Sequence, residues 1–595
     1  MAFVTFFPSG GGGGGGNTDR FAPKYLVGNT AYSLPDTASI AGLAAGFQYF
    51  PDPGDGSGIR AACAAAAVDP GDIWVRPGNY QIPSGQGPIT IPGVTLRGSG
   101  SSTVVRGAPD GDQGVFILAT SLINPLPGFA RLEQILVQVA APTGPTAGSV
   151  AAVLCQDTVG LSDVNVLVEV RAAGTIRNGV RFTTVMNSAF PASDVLDLTV
   201  AVDTDTTTDI GIELVPGQNG GATVFVRNVQ VFGFQGMSTG VRVDRSILVA
   251  SQLAVLNFSV AGVEFVTTPD DKNGRISIDE GYLQTGTGTP TTVGALLDGS
   301  SHVLHSVAIQ GFGAAGIRLL ATPDANPAAG ISRDVEIDDV QIDGFSIGIE
   351  VGSLGGLFGA GATGNTISNS QINATSRGIY FTGPVVDRNH IIDNNVNVQG
   401  GFSPPVLGGI TIDEDPQQPG AINNFVRGNA VNVTCPFSQS FTHCIELHSQ
   451  LGVCSDNVCN LVNGGYCIEL GDGAERVVTQ GNVCQAGGDA DSLGCIHVAP
   501  GTPNVRLVIN GNSCTVNYAV DPAPGTITAI VCEGLRCVVS NNAIFVGTPG
   551  GATPGIVLSA ATTQVNCIGN VCEGSGGVAV TDLGALNNVA QNVGA

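Results

Sequence analysis

The residues best placed to do chemistry are two glutamates, Glu446 and Glu469, in the near-identical pentapeptides HCIEL and YCIEL. His443 and His448 flank the first of them. If the pentapeptides stack as neighbouring strands, the two carboxyls lie about 5 Å apart, the separation of a retaining glycosidase pair. Mutual repulsion would then raise one of the two pKa values. The competing reading makes both glutamates solvated, outward residues beside Ile445 and Ile468. Asp387, with Arg388 and His390 in VVDRNHIID, forms the best local acid/base cluster, although a solvated loop is the preferred reading of these residues. Further carboxylates group at Asp338 and Asp339 and at Asp413, Glu414 and Asp415. Glu446, Glu469 and Asp387 are the catalytic candidates.

A second pattern is Asn-any-Cys. It recurs at Asn457/Cys459, Asn482/Cys484, Asn512/Cys514 and Asn570/Cys572, and Ile544 takes the Cys place after Asn542. Twelve of the 14 cysteines follow residue 434. Substitution by Ile points to an inward apolar slot, where reduced Cys is a good small core residue. Stacked free thiols are the preferred reading. Disulfides between stacked coils, or across five residues as in Cys454/Cys459 and Cys567/Cys572, are the alternative. No Cys/His spacing of a zinc site occurs, so no metal or other cofactor is expected.

These residues recur because the chain does. Aligned on the turn asparagine, units fall at Asn369, Asn395, Asn429, Asn457, Asn482, Asn512, Asn542, Asn570 and Asn592, spaced by about 28 residues on average. Each unit holds short strands with apolar/polar alternation, as in DVEIDDVQIDGFSIGIEV. That length suits one turn of a parallel β-helix, in which every coil buries its inner face against its neighbours. Roughly 18 coils are expected, a rod on the order of 85 Å long. The corner Asn would adopt a left-handed backbone and link its amide to the coils above and below, forming a structural ladder through Asn457, Asn482, Asn512 and Asn570. Cys459, Cys484, Cys514 and Cys572 would stack as a second column.

Composition supports this and excludes other classes. The 595 residues include 86 Gly and are 43% hydrophobic, enough for a large core and many turns. A net charge of −25 makes nucleic acid an unsuitable partner. No apolar run is long enough to span a membrane, and MAFVTFFPSG lacks the basic start of a signal peptide. Export within a particle, a cytoplasmic location or a signal-free route is therefore expected. Three regions separate. Residues 1–16 join an apolar arm bearing Phe3, Phe6 and Phe7 to seven consecutive glycines, a flexible tether suited to anchoring on another subunit. Residues 17–88 form an attachment and capping region, with a helix expected over Ile59–Val68 and a strand over Ile73–Arg76. Residues 89–595 form the β-helix.

The segment GDIWVRPGNYQI…ITIPGVTLRGSGSSTVVRG resembles the opening coil of right-handed β-helix proteins of the pectate-lyase-like superfamily, most of all the structural members of phage tailspike and fibre type. The resemblance covers about residues 55–595. It implies an all-β, right-handed single-stranded solenoid with a short capping helix. The family's catalytic signatures are missing: Asn-Thr-Asp occurs only at Asn17–Asp19, Gly-His-Gly and Arg-Ile-Lys are absent, and the single Trp is Trp74.

Three functions follow as expectations. The first is a structural spike, fibre or decoration protein of a phage or phage-like particle, joined to other subunits by its arm, with a homotrimer expected by analogy. The second is a polysaccharide lyase or glycoside hydrolase. The third is an adhesin that binds a cell-surface glycan without cleaving it.

Overall fold

The computed structural model describes residues 24–30 and 48–594, apart from the connecting segments 84, 108–114, 120–128, 140–149, 170–176, 185–191, 204–209, 218–220, 268–273, 287–288, 321–330, 353–360, 384, 401–404, 413–421, 440–441, 472, 489–492, 501–505, 519–527, 548–553 and 575–578. Phe3, Phe6 and Phe7 of the proposed anchor, and Asp413, Glu414 and Asp415, lie outside the described residues.

A helix, Ser57–Val68, covers the first end of the rod. Its alanine run has no β-branched residue before Val68, and its apolar side, Ile59, Ala62, Cys63 and Ala66, is buried. The capping position is Gly56, which has no side chain to offer. Asp52 supplies the acceptor instead: its carboxylate takes the backbone N–H groups of Gly54, Asp55, Gly56, Gly58 and Ile59 at 2.8–3.2 Å. These bonds satisfy the helix's orphan donors and place negative charge at its positive end. The helix stops at Asp69, whose N–H still reaches Ala65, because Pro70 follows.

Beyond it the chain is a parallel β-helix. Parallel pairing already links Tyr25–Asn29 to Gln48–Asp52 and Ile73–Val75, ahead of residue 89. In the later coils each turn has three strands, as in Val453–Ser455, Val458–Gly464 and Tyr466–Leu470. Each strand pairs in register with its counterpart one coil away, so three ladders run along the rod. In the earlier coils the first two strands fuse into one bent strand, such as Ala192–Asp203.

The third ladder shows the length of the stack. One column passes in register through Thr90, Ile117, Leu154, Arg181, Glu213, Arg242, Glu264, Leu296, Arg318, Glu350, Tyr380, Thr411, Glu446, Glu469, His497, Val531, Val557 and Thr581. These are eighteen levels, the number of coils the repeat length implies. At about 4.8 Å per step they span roughly 80 Å.

Each corner uses two adjacent residues with different tasks. The first turns the chain with positive φ: Asp393, Gly428, Asp456, Gly481, Gly511, Asn541, Gly569 and Gln591 all lie between +54° and +71°. The second is the buried asparagine. Asn394, Asn429, Asn457, Asn482, Asn512, Asn542, Asn570 and Asn592 form one amide ladder, each donating its Nδ2 to the next Oδ1 at 2.8–3.0 Å. The expectation of a single left-handed Asn therefore needs correcting. Asn369 (φ +51°) is the turning residue and lies on the surface, while Ser370 beside it is buried in the ladder slot. Asn395 is likewise outside, displaced by Asn394. A second ladder, Asn365–Asn389–Asn424, occupies another corner.

The cysteines point inward. Cys459, Cys484 and Cys514 are in-register partners on the second ladder, with Ile544 and Cys572 following in the same column. Cys444, Cys467 and Cys495 share a slot on the third. Their thiols reach backbone carbonyls of the second ladder: Cys444 Sγ donates to Asn460 O at 3.4 Å, Cys467 Sγ to Cys459 O at 4.0 Å and Cys495 Sγ to Cys484 O at 3.6 Å. All 14 are buried and unbridged. Cys454 does not meet Cys459 but accepts from Asn457 Nδ2 at 3.5 Å.

Candidate functional site

The two glutamates come together. Glu446 and Glu469 are in-register neighbours at the centre of the third ladder's outer face. They are not freely solvated: their side chains are 26% and 11% exposed. His448 Nε2 lies 3.1 Å from Glu446 Oε1. His497, one level above Glu469, brings its Nδ1 to 2.7 and 2.9 Å from both Glu469 oxygens.

Two aromatic contacts brace this arrangement. The Tyr466 ring stacks on His497 at 4.5 Å between centroids. His443 Nδ1 lies 3.1 Å from the Tyr466 backbone nitrogen and 3.2 Å from its carbonyl oxygen. On the other side, the Arg377 guanidinium sits 3.7 Å above the Tyr380 ring. Gly408 is the in-register residue between Arg377 and His443, and Thr411 is the one between Tyr380 and Glu446. The patch thus gathers an arginine, two carboxylates and three of the chain's six histidines.

For Glu446 the pairing does not raise the carboxyl, contrary to the expectation from stacked carboxylates. Burial disfavours its charge, but the bond from His448 and the positive charges of His443, His448 and Arg377 outweigh that and hold its carboxyl below the usual glutamate range. A carboxylate kept ionised is suited to act as nucleophile or base, not as the proton donor of a glycosidase pair.

The rest of the column sets this pair apart. Elsewhere along it opposite charges neighbour each other: Arg181 with Glu213 at 3.4 Å, Arg242 with Glu264 at 3.7 Å, Arg318 with Glu350 at 2.6 Å. Such alternation is what cross-strand pairing favours. Only Glu446 and Glu469 place two like charges on adjacent strands of this column.

The third candidate is elsewhere. Asp387 lies at the corner between the third and first ladders, in register with Thr363. Its Oδ2 holds Arg388 Nε at 2.9 Å, while His390 stacks on Phe425. Asp338 and Asp339 serve the first corner. Asn369, Ser368 and His305 hold the Asp338 carboxyl below the usual range, and Asp339 is a positive-φ turning residue that accepts from Ser306. Arg377, Tyr380, Tyr466 and His497 were not among the sequence candidates. One signal pointed to His497: GCIHV repeats the slot of HCIEL and YCIEL with His in place of Glu. Among the described residues no cluster of His, Cys, Asp or Glu is arranged to hold a metal, and no helix is long and apolar enough to cross a membrane.

No family model and no curated protein matches the chain. Among solved structures it is similar to the Dettilon tailspike protein, with 11% identity and a TM-score of 0.32 over 74% of this chain and 65% of that one. The chain thus spans just under two thirds of that protein's length. It is also similar to the tailspike protein of E. coli bacteriophage HK620 in complex with a pentasaccharide, with 12% identity and a TM-score of 0.30 over 91% and 80% of the two chains. A third is the A-module of a mannuronan C-5 epimerase of Azotobacter vinelandii, at 12% identity and a TM-score of 0.19 over 90% and 94%. Identities and TM-scores this low transfer neither activity, substrate nor assembly to this chain.

Proposed function

We propose that the chain is the projecting rod of a spike, fibre or decoration subunit of a phage or phage-like particle, joined to its assembly through the N-terminal arm. The observation that carries this reading is the unbroken eighteen-level column from Thr90 to Thr581. A stack of that length, with its core continuous from coil to coil, acts as a stiff spacer and offers long outer faces for contact. The apolar arm and its glycine tether are suited to augmenting the sheet edge of a neighbouring subunit, whether in a homotrimer or in a different subunit of the particle. Deleting residues 1–16 tests this. Incorporation into the native particle should be lost while the rod stays folded, and unchanged incorporation would rule out the tether.

A second reading has its own support in the like-charged pair Glu446–Glu469. Each carboxylate of the pair is held by a histidine, and acid/base clusters of this kind are often catalytic. On this reading the patch hydrolyses or eliminates across a glycosidic bond, with Glu446 as the ionised partner. The test is a polysaccharide panel assayed with Glu446→Gln and Glu469→Gln. Turnover that survives both substitutions would reject the site.

A further inference from the structure

A hollow lies on the outer face of the first ladder, nine levels or roughly 40 Å down the rod from Glu446. Three outward positions stack there in register: Arg131, Gly160 and Asp194. The middle one has no side chain. The Arg131 side chain lies over it, its Cγ and Nε 3.0 and 3.4 Å from where a Gly160 Cβ would stand, and beside them is a hollow of about 380 Å³ with Phe129 and Leu196 in its walls. Those two apolar side chains are 49% and 38% exposed, an arrangement that contributes nothing to the core.

The charges around the hollow are specific. Glu133, in the next outward column, is taken up by Arg97 Nε at 2.8 Å. Arg131 and Asp194 stand two strand spacings apart, about 10 Å between backbones, and among the described residues neither makes an ion pair. The hollow is lined by a donor fork, Arg131, an acceptor pair, Asp194, and apolar walls, and the two charged groups sum to no net charge. An anion or a cation would leave one of the two groups opposed to it. A neutral ring with an apolar face and a rim of hydroxyls satisfies both groups and both walls.

We propose that this hollow binds a neutral hexopyranose ring, one apolar face against Phe129 and its hydroxyls bonded to Arg131 and Asp194. Binding at this site needs neither Glu446 nor Glu469 and is independent of how the arm is anchored. Failure here leaves the rod reading standing, and failure of arm anchoring leaves this site standing.

The test is saturation-transfer NMR on the full chain with methyl α-glucopyranoside, methyl β-galactopyranoside and N-acetylglucosamine at millimolar concentration. At least one should receive transfer. Gly160→Leu should abolish it, because the added side chain occupies the hollow. The added Cβ meets only the flexible Arg131 side chain, with Cγ at 3.0 Å, so the backbone need not move. Phe129→Ala, at an exposed position, should weaken binding roughly tenfold. Absence of transfer from all three sugars would overturn the proposal. So would transfer that persists in both Gly160→Leu and Phe129→Ala, or transfer displaced by sodium sulfate.

Discussion

The upstream coils and the last coils fill the same interior space in two different ways. Upstream, a glycine on the third ladder faces a β-branched residue on the second: Gly211 faces Val231, Gly294 faces Ile309, Gly348 faces Ile372. A Cβ on any of these glycines would fall 2.2–2.3 Å from a methyl of its partner. Further along, Cys444 takes the slot in register with Gly409, and Cys459 the slot in register with Val431. The next two coils repeat the exchange with Cys467/Cys484 and Cys495/Cys514. Two thiols carry as many side-chain heavy atoms as one isoleucine and a glycine. The coil's cross-section is thus conserved while its atoms are divided differently between the two ladders. Cysteine recurs here as a packing choice, and burial pushes the Cys454 thiol up, away from the reactive thiolate.

The corners differ in parallel. In the last coils an amide ladder fills one of the two buried corner slots while Val477, Leu507, Cys537 and Val565 fill the other, and the largest effect should come from breaking that ladder. Asn482 Oδ1 accepts from the Asn457 amide and backbone N–H at 2.9 and 3.0 Å. Its Nδ2 donates to Asn512 Oδ1 and to the Cys454 carbonyl. Asn482→Ala should cost about 3–5 kcal/mol in denaturant unfolding, because the partners left behind stay buried and unpaired. Asn592→Ala, at the partly exposed end of the same ladder, should cost below about 1 kcal/mol. Equal costs would mean that the ladder's burial is irrelevant to its strength.

Upstream, one of these slots holds an imidazole. His302 lies in the column later taken by Asn365, Asn389 and Asn424, and its Nδ1 accepts the Ile276 N–H just as Asn365 accepts that of Val335. Its Nε2–H donates to the Asp298 carbonyl at 3.0 Å. Burial lowers its pKa to about 4. Between that value and the ordinary 6.5 the unfolded chain binds the extra proton, so stability is complete above pH 6.5 and falls as pH drops towards 4. The loss should reach about 3 kcal/mol. His302→Asn should flatten that part of the pH profile, since an amide supplies the same acceptor without titrating. A profile unchanged by the substitution would show that His302 does not drive the acid sensitivity.

The period, the coil number and the inward cysteines were legible because stacking imposes a residue type every 22–35 residues, and repetition makes each slot visible. The slot within the corner was not, because the turning residue and the buried residue are adjacent and draw on the same polar types. Asn394–Asn395 and Asn541–Asn542 each present two asparagines for two different tasks, and at Ser370 the ladder slot is not asparagine at all. The glycine slots were missed for a different reason: their role exists only opposite a partner on another strand. The same is true of function. Glu446 and Glu469 could be paired from their shared pentapeptide, but Arg377 and Tyr380 belong to earlier coils with no common motif. Arg131, Gly160 and Asp194 are individually ordinary, and only the register joins them.

A smaller effect than that of Asn482 or His302 bears most directly on the exchange of core atoms. Cys484→Ile puts a larger side chain where Cys467 already occupies the facing space, and should cost about 1–3 kcal/mol through overpacking. Adding Cys467→Gly empties that space and recreates the upstream arrangement, Ile facing Gly. The double variant should then recover at least half of the loss, even though a glycine within a strand costs roughly 0.5–1 kcal/mol of its own. The quantity to read is the coupling energy between the two sites in a double-mutant cycle of unfolding free energies, expected at about 1 kcal/mol or more. Additive costs would mean that the two ladders do not share one volume, and the resemblance between glycine–isoleucine and cysteine–cysteine coils would then be an accident of composition. A favourable coupling would show that the coil is specified by its total cross-section, which leaves the outer columns free to carry arginines, glutamates or a hollow without disturbing the stack.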